Sequence, residues 1–183
     1  EYVDVVPTLL DAIGVPPVAE MDGESFLSVL SGDASKHKTH VYGIMTTKGT
    51  INAPDHYGIR SVRSHDFQLI VNFTPEVEFT NACTKSPEFL SWISEAEAGK
   101  PRAGKLVRHY QHRPAVELYA TNNPWHQWKN LADSAGHTEV RANLQKKLDA
   151  WMVDQGDLGQ TTEEAANEHQ QKSRKKKKGK KKN

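Results

Sequence analysis

Three basic side chains fall within a short span: Lys48 in the segment TTKGTINAPDHYG, His56 near its end and Arg60 just beyond it. The segment is rich in Gly, Asn and Pro and sits between two strand-like runs, as loops that carry binding groups on a rigid scaffold commonly do. Lys48, His56 and Arg60 could converge on an anion, and the planar fork of Arg suits sulfate, phosphate or carboxylate. Pattern alone fits three ordinary solvated charges as well.

No complete catalytic set accompanies them, so no catalytic and no metal-ligating residue is assigned. Cys83 in CTKSP is the single cysteine, which rules out a disulfide within the chain. It lies at a helix start beside Lys85, where a thiol pKa can fall, but no activating pattern surrounds it. His37 and His40, and His109 and His112, are each three apart. Neither pair has a third ligand close in sequence, and surface histidine is the simpler reading.

From Lys172 to Asn183 there are nine basic residues and no acidic one, leaving 15 basic against 23 acidic residues in the rest. A near-neutral total therefore combines an acidic body with a basic tail. The tail could bind any polyanion in a salt-sensitive way. No aromatic residue interleaves with its lysines, so nothing supplies base stacking and no specific nucleic-acid partner is expected. No apolar run is long enough to span a membrane. The chain opens at Glu1 almost inside a helix and reads as the C-terminal piece of something longer.

Those groups must be positioned by the elements around them. Residues 4–13, DVVPTLLDAI, predict a helix with Val3, Val6, Leu9, Leu10 and Ile13 on one face, Asp4 as cap, Pro7 in the first turn and Gly14 as stop. That face has no evident partner in the sequence that follows. A turn at Asp22-Gly23 leads to a short helix with Phe26, Leu27 and Leu30. Strands are expected at 41–46 and then as a hairpin, YGIRSV and FQLIVN, around Ser64-His65-Asp66. Residues 73–115 read as an insertion with one helix, Ser86 as cap and Gly99 as stop, followed by a loop, GKPRAGK. A fourth strand is expected at 116–120, and a final helix at 138–154 with Val140, Leu144, Leu148, Trp151 and Met152 on one face. Four largely antiparallel strands covered by one amphipathic helix make a small α+β layer. From Gly159 onward too little apolar surface remains to order the chain. Trp125 and Trp128, in ELYATNNPWHQWKNLA, fit a packed joint better than a ligand platform.

Four blocks in order resemble the C-terminal part of type I, formylglycine-dependent sulfatases. VDVVPTLLDAIGVPP…MDGESFLSVLSG is similar to a D-x-x-P-T-L-L helix followed by a D-G-x-S turn. YGIRSVRSHDFQLIVNF resembles the family's R-x-V-R hairpin, and ELYATNNPWHQWKNLA its E-L-Y…N-L-A signature; a terminal helix then follows. SPEFLSWISEAEAGKPRAGKLVRHYQHRPAVELY and GIMTTKGTINAPDHYGIRSVR look like the heparan N-sulfatase (N-sulfoglucosamine sulfohydrolase) branch. Similar segments also occur in phosphonate and phosphodiester hydrolases of the superfamily, and that alternative stays open, as does a polyanion-binding module acting through the tail.

The resemblance implies an α/β alkaline-phosphatase-like fold in the intact protein. Residues 1–35 would end its large domain, 36–157 would form the C-terminal subdomain with insertion 73–115, and 158–183 would be a disordered Lys-rich tail. It implies hydrolysis of sulfate esters or N-sulfates of a sulfated glycan or smaller sulfated substrate, with Ca2+ as Lewis acid and formylglycine as nucleophile. The C/S-x-P-S-R motif and the calcium carboxylates are absent from this sequence, so the piece alone is expected to be inactive. Lys48, His56 and Arg60 would contribute substrate contacts at the pocket rim, and the setting would be secreted or periplasmic.

Overall fold

The computed structural model describes residues 1–16, 18–47, 49–122 and 129–166. The chain divides into two compact units, Glu1–Val41 and the remainder from Tyr42 onward. The division falls a few residues later than the expected boundary at 35.

In the first unit a 3-10 turn, Tyr2–Asp4, runs into α1 (Val5–Ala12), and α2 (Leu27–Leu30) follows. The spacing of the D-x-x-P-T and D-G-x-S motifs has a hydrogen-bond explanation. The Asp4 carboxylate accepts from the Glu24 N–H at 2.9 Å, and the Thr8 hydroxyl accepts from the Phe26 N–H at 3.1 Å while donating to the Asp4 carbonyl at 2.6 Å. Two side chains, Asp4 just before α1 and Thr8 within it, thus pin the backbone of the turn. Gly23 is required because a Cβ there would lie 1.9 Å from the Val3 carbonyl oxygen.

Asp4 does not cap the helix as its position suggested: its side chain makes no cap bond because it is spent on Glu24 and on Lys38, whose Nζ lies at 2.7 Å. Burial opposes ionisation of Asp4, but the hydrogen bonds from Lys38 and the Glu24 N–H outweigh it and hold the carboxyl well below the usual range. The expected apolar face of α1 is exposed at Val6, Leu9 and Ile13.

The second unit is a four-stranded sheet in the order β1 (Val41–Met45), β2 (Ile59–Arg63), β3 (Phe67–Asn72), β4 (Val116–Ala120). β2–β3 and β3–β4 pair antiparallel, with Val62 opposite Leu69 and Leu69 opposite Leu118. These three fully buried residues face α5 (Thr138–Asp154), which contributes Leu144 and Leu148 to the same core. Tyr42 stacks on Trp151 with ring centroids 4.9 Å apart. The antiparallel sheet and its covering helix are as the apolar pattern predicts.

The other sheet face carries Ile59 and Ile70 with Tyr57, Phe79 and Tyr110, and a polar pair explains the E-L-Y signature. Leu118 points to the α5 core, while Glu117 and Tyr119, two apart and so on the opposite face, bond to each other at 2.6 Å; Glu117 also accepts from Asn72 at 2.8 Å. Burial, then the bond to Glu117, raise the Tyr119 pKa. The N-L-A end of the signature extends β4. Asn130 accepts from the N–H groups of Leu118 and Ala132 and donates to the Val116 carbonyl. Trp125 and Trp128 lie outside the described residues.

Two expectations are corrected. GKPRAGK (99–105) is not a loop throughout: α3 (Pro87–Glu97) is followed by α4 (Pro101–Gln111), which takes in its last five residues. Pro101 occupies the first helical position, where its missing N–H costs nothing, and Arg108 and His109 sit in the last turn, where the helix dipole favours positive charge. Secondly, order continues past 158. Residues 160–166 are helical, and Asp157 and Glu163 are buried, because they pair with a buried cation rather than with apolar surface.

Gly104 tests the α4 assignment. An added Cβ would meet only the Ala96 Cβ, at 3.9 Å. Gly104→Ala should therefore stabilise the chain by about 0.5–1 kcal/mol in denaturant unfolding. If 100–111 were a loop the substitution would bring no such gain.

Candidate functional site

The loop between β1 and β2 carries the predicted anion-binding groups, and its backbone is unusual. Asn52 and His56 both have φ of 59°, a left-handed conformation that non-glycine residues adopt only when neighbours hold them. The holding contacts can be named. The Thr47 hydroxyl accepts from the Tyr57 N–H at 3.0 Å, tying the two ends of the loop together. The Thr80 hydroxyl donates to the Asn52 carbonyl at 2.6 Å. The Thr46 hydroxyl donates to the Glu163 carboxylate at 2.6 Å.

His56 is half-buried in this loop, next to the fully buried Tyr57. Lys48 lies outside the described residues. Arg60 is not on a pocket rim: it is 1% exposed and every guanidinium nitrogen is engaged within the chain. Nε donates to Asp157, Nη2 to Asp157 at 3.2 Å and to Glu163 at 2.8 Å, and Nη1 to the Ile59 and Met45 carbonyls at 3.0 and 3.3 Å. The Phe73 ring lies 5.3 Å from its carbon centre. The physical reason is strand alternation. Arg60 has the same parity as Val62 on β2 and so points to the face that α5 covers. A charge on that face must find carboxylates, and the chain leaving α5 brings them.

Glu163 is the hub sequence reading missed. It meets Arg60 and Thr46, and it packs so closely on Gly58 that a Cβ there would come within 2.6 Å of its Cγ. One carboxylate therefore grips residues at both ends of the loop. Burial works against the charge on Asp157, but the bonds from Arg60 and the Gly159 N–H lower its pKa; burial opposes the charge on Arg60 as well, and the two carboxylates raise its pKa. The arrangement holds both ends of the β1–β2 loop from beneath.

Among the described residues no group of three or more His, Cys, Asp or Glu is placed to hold a metal ion. Cys83 is exposed in the 3-10 turn Ala82–Lys85, and Thr-Lys-Ser follows it instead of x-Pro-Ser-Arg. These residues do not fit a calcium site or a formylglycine, and any chemistry those groups supply is not housed here. No described helix is long and apolar enough to cross a membrane.

The anchor predicts two outcomes. Glu163→Ala removes one of the two carboxylates that Arg60 meets and the acceptor of the Thr46 hydroxyl, and should cost about 3–5 kcal/mol in denaturant unfolding; Glu163→Gln, which keeps an acceptor, should cost less. In acid, Asp4 and Asp157 are both depressed from an ordinary 3.8. Their stabilisation is thus present above about pH 4 and lost as pH falls through their folded values. Thermal unfolding from pH 7 to pH 2 should show the midpoint collapsing at the acid end, and Asp157→Asn should flatten that limb while lowering stability at pH 7.

No family model matches the chain. In sequence it is 26% identical over 161 residues to an ulvan-active sulfatase of Formosa agariphila, an alignment that takes in 86% of this chain and 29% of that protein. In structure it is similar to a 2-O GAG sulfatase, with a TM-score of 0.53 and 18% identity, covering 84% of this chain and 25% of that one. It is also similar to a protein solved in complex with its substrate D-glucosamine-2-N,6-O-disulfate, with a TM-score of 0.54 and 16% identity over 86% and 25%. The chain spans less than a third of the length of the relatives it matches. Over most of its length the chain is similar in sequence to part of a sulfatase, and its fold is that of a sulfatase segment.

Proposed function

We propose that this chain is the C-terminal portion of a sulfatase that hydrolyses sulfate esters or N-sulfate groups of a sulfated glycan, with its nucleophile and calcium ligands outside the 183 residues. The observation that carries the reading is the alignment over 86% of the chain to a protein named for action on ulvan. The finer assignment to the N-sulfoglucosamine sulfohydrolase branch draws its support from the segments 43–63 and 86–119 alone, and so does an extracytoplasmic setting from the sulfatase reading. Within this portion Lys48 and His56 are proposed to contact a sugar carboxylate or a second sulfate. Arg60 serves them from beneath by holding the loop through Glu163.

In the intact enzyme, sulfate release from a sulfated oligosaccharide, followed by ion chromatography, tests the activity. Release of phosphate from a phosphodiester in its place would overturn it in favour of the superfamily's other chemistry. Lys48→Ala should raise KM on an anionic oligosaccharide several-fold more than on a small aryl sulfate. An equal effect on both would remove Lys48 from substrate recognition. Deleting residues 172–183 should leave turnover of a soluble sulfated sugar unchanged; loss of turnover would favour the tail as the functional element.

A further inference from the structure

From Ala98 to Val116 the chain has five Lys or Arg residues and no Asp or Glu, inside a body that is otherwise acidic. Lys100 pairs with Glu95, and Arg113 lies over the Phe79 ring at 4.7 Å. Arg102, Lys105 and Arg108 remain, all exposed on α4. At 100° per residue these three and His109 fall within about 120° of the helix circumference, opposite the face of Ala103 and Val107; Tyr110, flanking that face, packs on Phe89 at 5.2 Å. Among the described residues no carboxylate pairs with any of the three. Like charges three apart on a helix repel, so this face loses stability that no partner within the chain restores.

A groove opens at the Arg108 edge of this face, and Arg108 is the one of the three that lines it. It has a volume of about 720 Å³, an aliphatic floor of Ile93, Ala96 and Val107, and Arg108 and His112 on its α4 side, with Glu97 as the one acidic lining residue. Gly104 of α4 faces Ala96 of α3 across its floor. Arg102 to Arg108 spans about 9 Å along the helix axis, the reach of a short run of sugars.

We propose that the α3–α4 hairpin binds a strand of anionic glycan, whose sulfate or carboxylate groups lie along Arg102, Lys105 and Arg108 and whose ring surface rests on the aliphatic groove. The choice of a glycan rests on the sulfatase reading, and the groove itself favours it. No aromatic side chain lines it, so a nucleic-acid base has nothing to stack on, while a sulfated sugar needs only spaced cations and an apolar floor. Arg supplies forked contacts to each anionic group.

Binding of dextran sulfate to the full chain by isothermal titration tests this without any turnover. Uncharged dextran and a single-stranded oligonucleotide serve as comparison ligands. Measurements are made with the native tail and with Lys172, Arg174, Lys175–Lys178 and Lys180–Lys182 replaced by Ser. In the tail-neutral background, joint replacement of Arg102, Lys105 and Arg108 by Gln should weaken dextran sulfate binding about tenfold or more and flatten its salt dependence, since fewer counterions are released. Glu97→Gln should tighten binding about twofold by removing the one lining carboxylate, a gain that misfolding cannot mimic. Circular dichroism confirms that α4 persists in both variants. Unchanged affinity in the triple variant, weaker binding by Glu97→Gln, or tighter binding of the oligonucleotide than of dextran sulfate overturns the proposal. Failure of the sulfatase reading would instead appear as absent sulfate release by the intact enzyme with this binding pattern preserved.

Discussion

A guanidinium sealed between a sheet and the chain that leaves the covering helix is the constraint on which the second unit depends. Removing Arg60 and two carboxylates from water costs several kcal/mol per ion. The cost is offset only because Asp157 and Glu163 reach the guanidinium, and because the Gly159 N–H and the Thr46 hydroxyl occupy remaining lone pairs of the carboxylates. Such an arrangement contributes less to net stability than an apolar plug of the same volume would. What it adds is register: Arg60 accepts no other neighbours, so the stretch from 157 to 166 has one place to go, and that place is under the β1–β2 loop. The two non-glycine residues with positive φ in that loop are held in a geometry they would otherwise leave.

The first unit uses the same principle on a smaller scale. Asp4 is fully buried with Lys38 and the Glu24 N–H as partners, and Thr8 is buried with its hydroxyl committed to the backbone. The interval between the two motif halves is the chain needed to bring Glu24 and Phe26 back onto the first turns of α1. Here too a buried polar group specifies a conformation, and Gly23 is there because the returning backbone touches Val3.

Elements governed by local pattern were legible in the sequence. The hairpin, β4, α5 and the caps of α3 follow from period and punctuation, since Val62, Leu69, Leu118, Leu144 and Leu148 alternate or recur as a shared core demands. The misreadings share a cause. GKPRAGK holds two glycines and a proline, all normally breakers, but Pro101 starts a helix and Gly104 lies inside it. The segment after Gly159 is too polar to order itself by apolar burial, and it orders through Arg60, a partner about a hundred residues away that no local window reveals. Arg60 itself carried a usable signal, because its parity with Val62 places it on the buried face and its charge requires a carboxylate there. The identity of that carboxylate could come only from the fold.

This division bears on where function lies. The residues that make the chain look like a sulfatase (Asp4, Thr8 and Gly23 in one motif, Glu117, Tyr119 and Asn130 in another) are consumed by hydrogen bonds to neighbouring backbone and side chains. They would serve equally well whatever sugar were bound, so the family signature reports the scaffold and not the ligand. Selectivity has to come from groups whose side chains the scaffold leaves uncommitted. The cations of α4 answer that description, with Arg102, Lys105 and Arg108 turned to solvent in a body of opposite charge. Arg60, chemically the best anion ligand in the chain, is excluded from that role by its own burial, because its capacity to bind an anion is already met by two carboxylates.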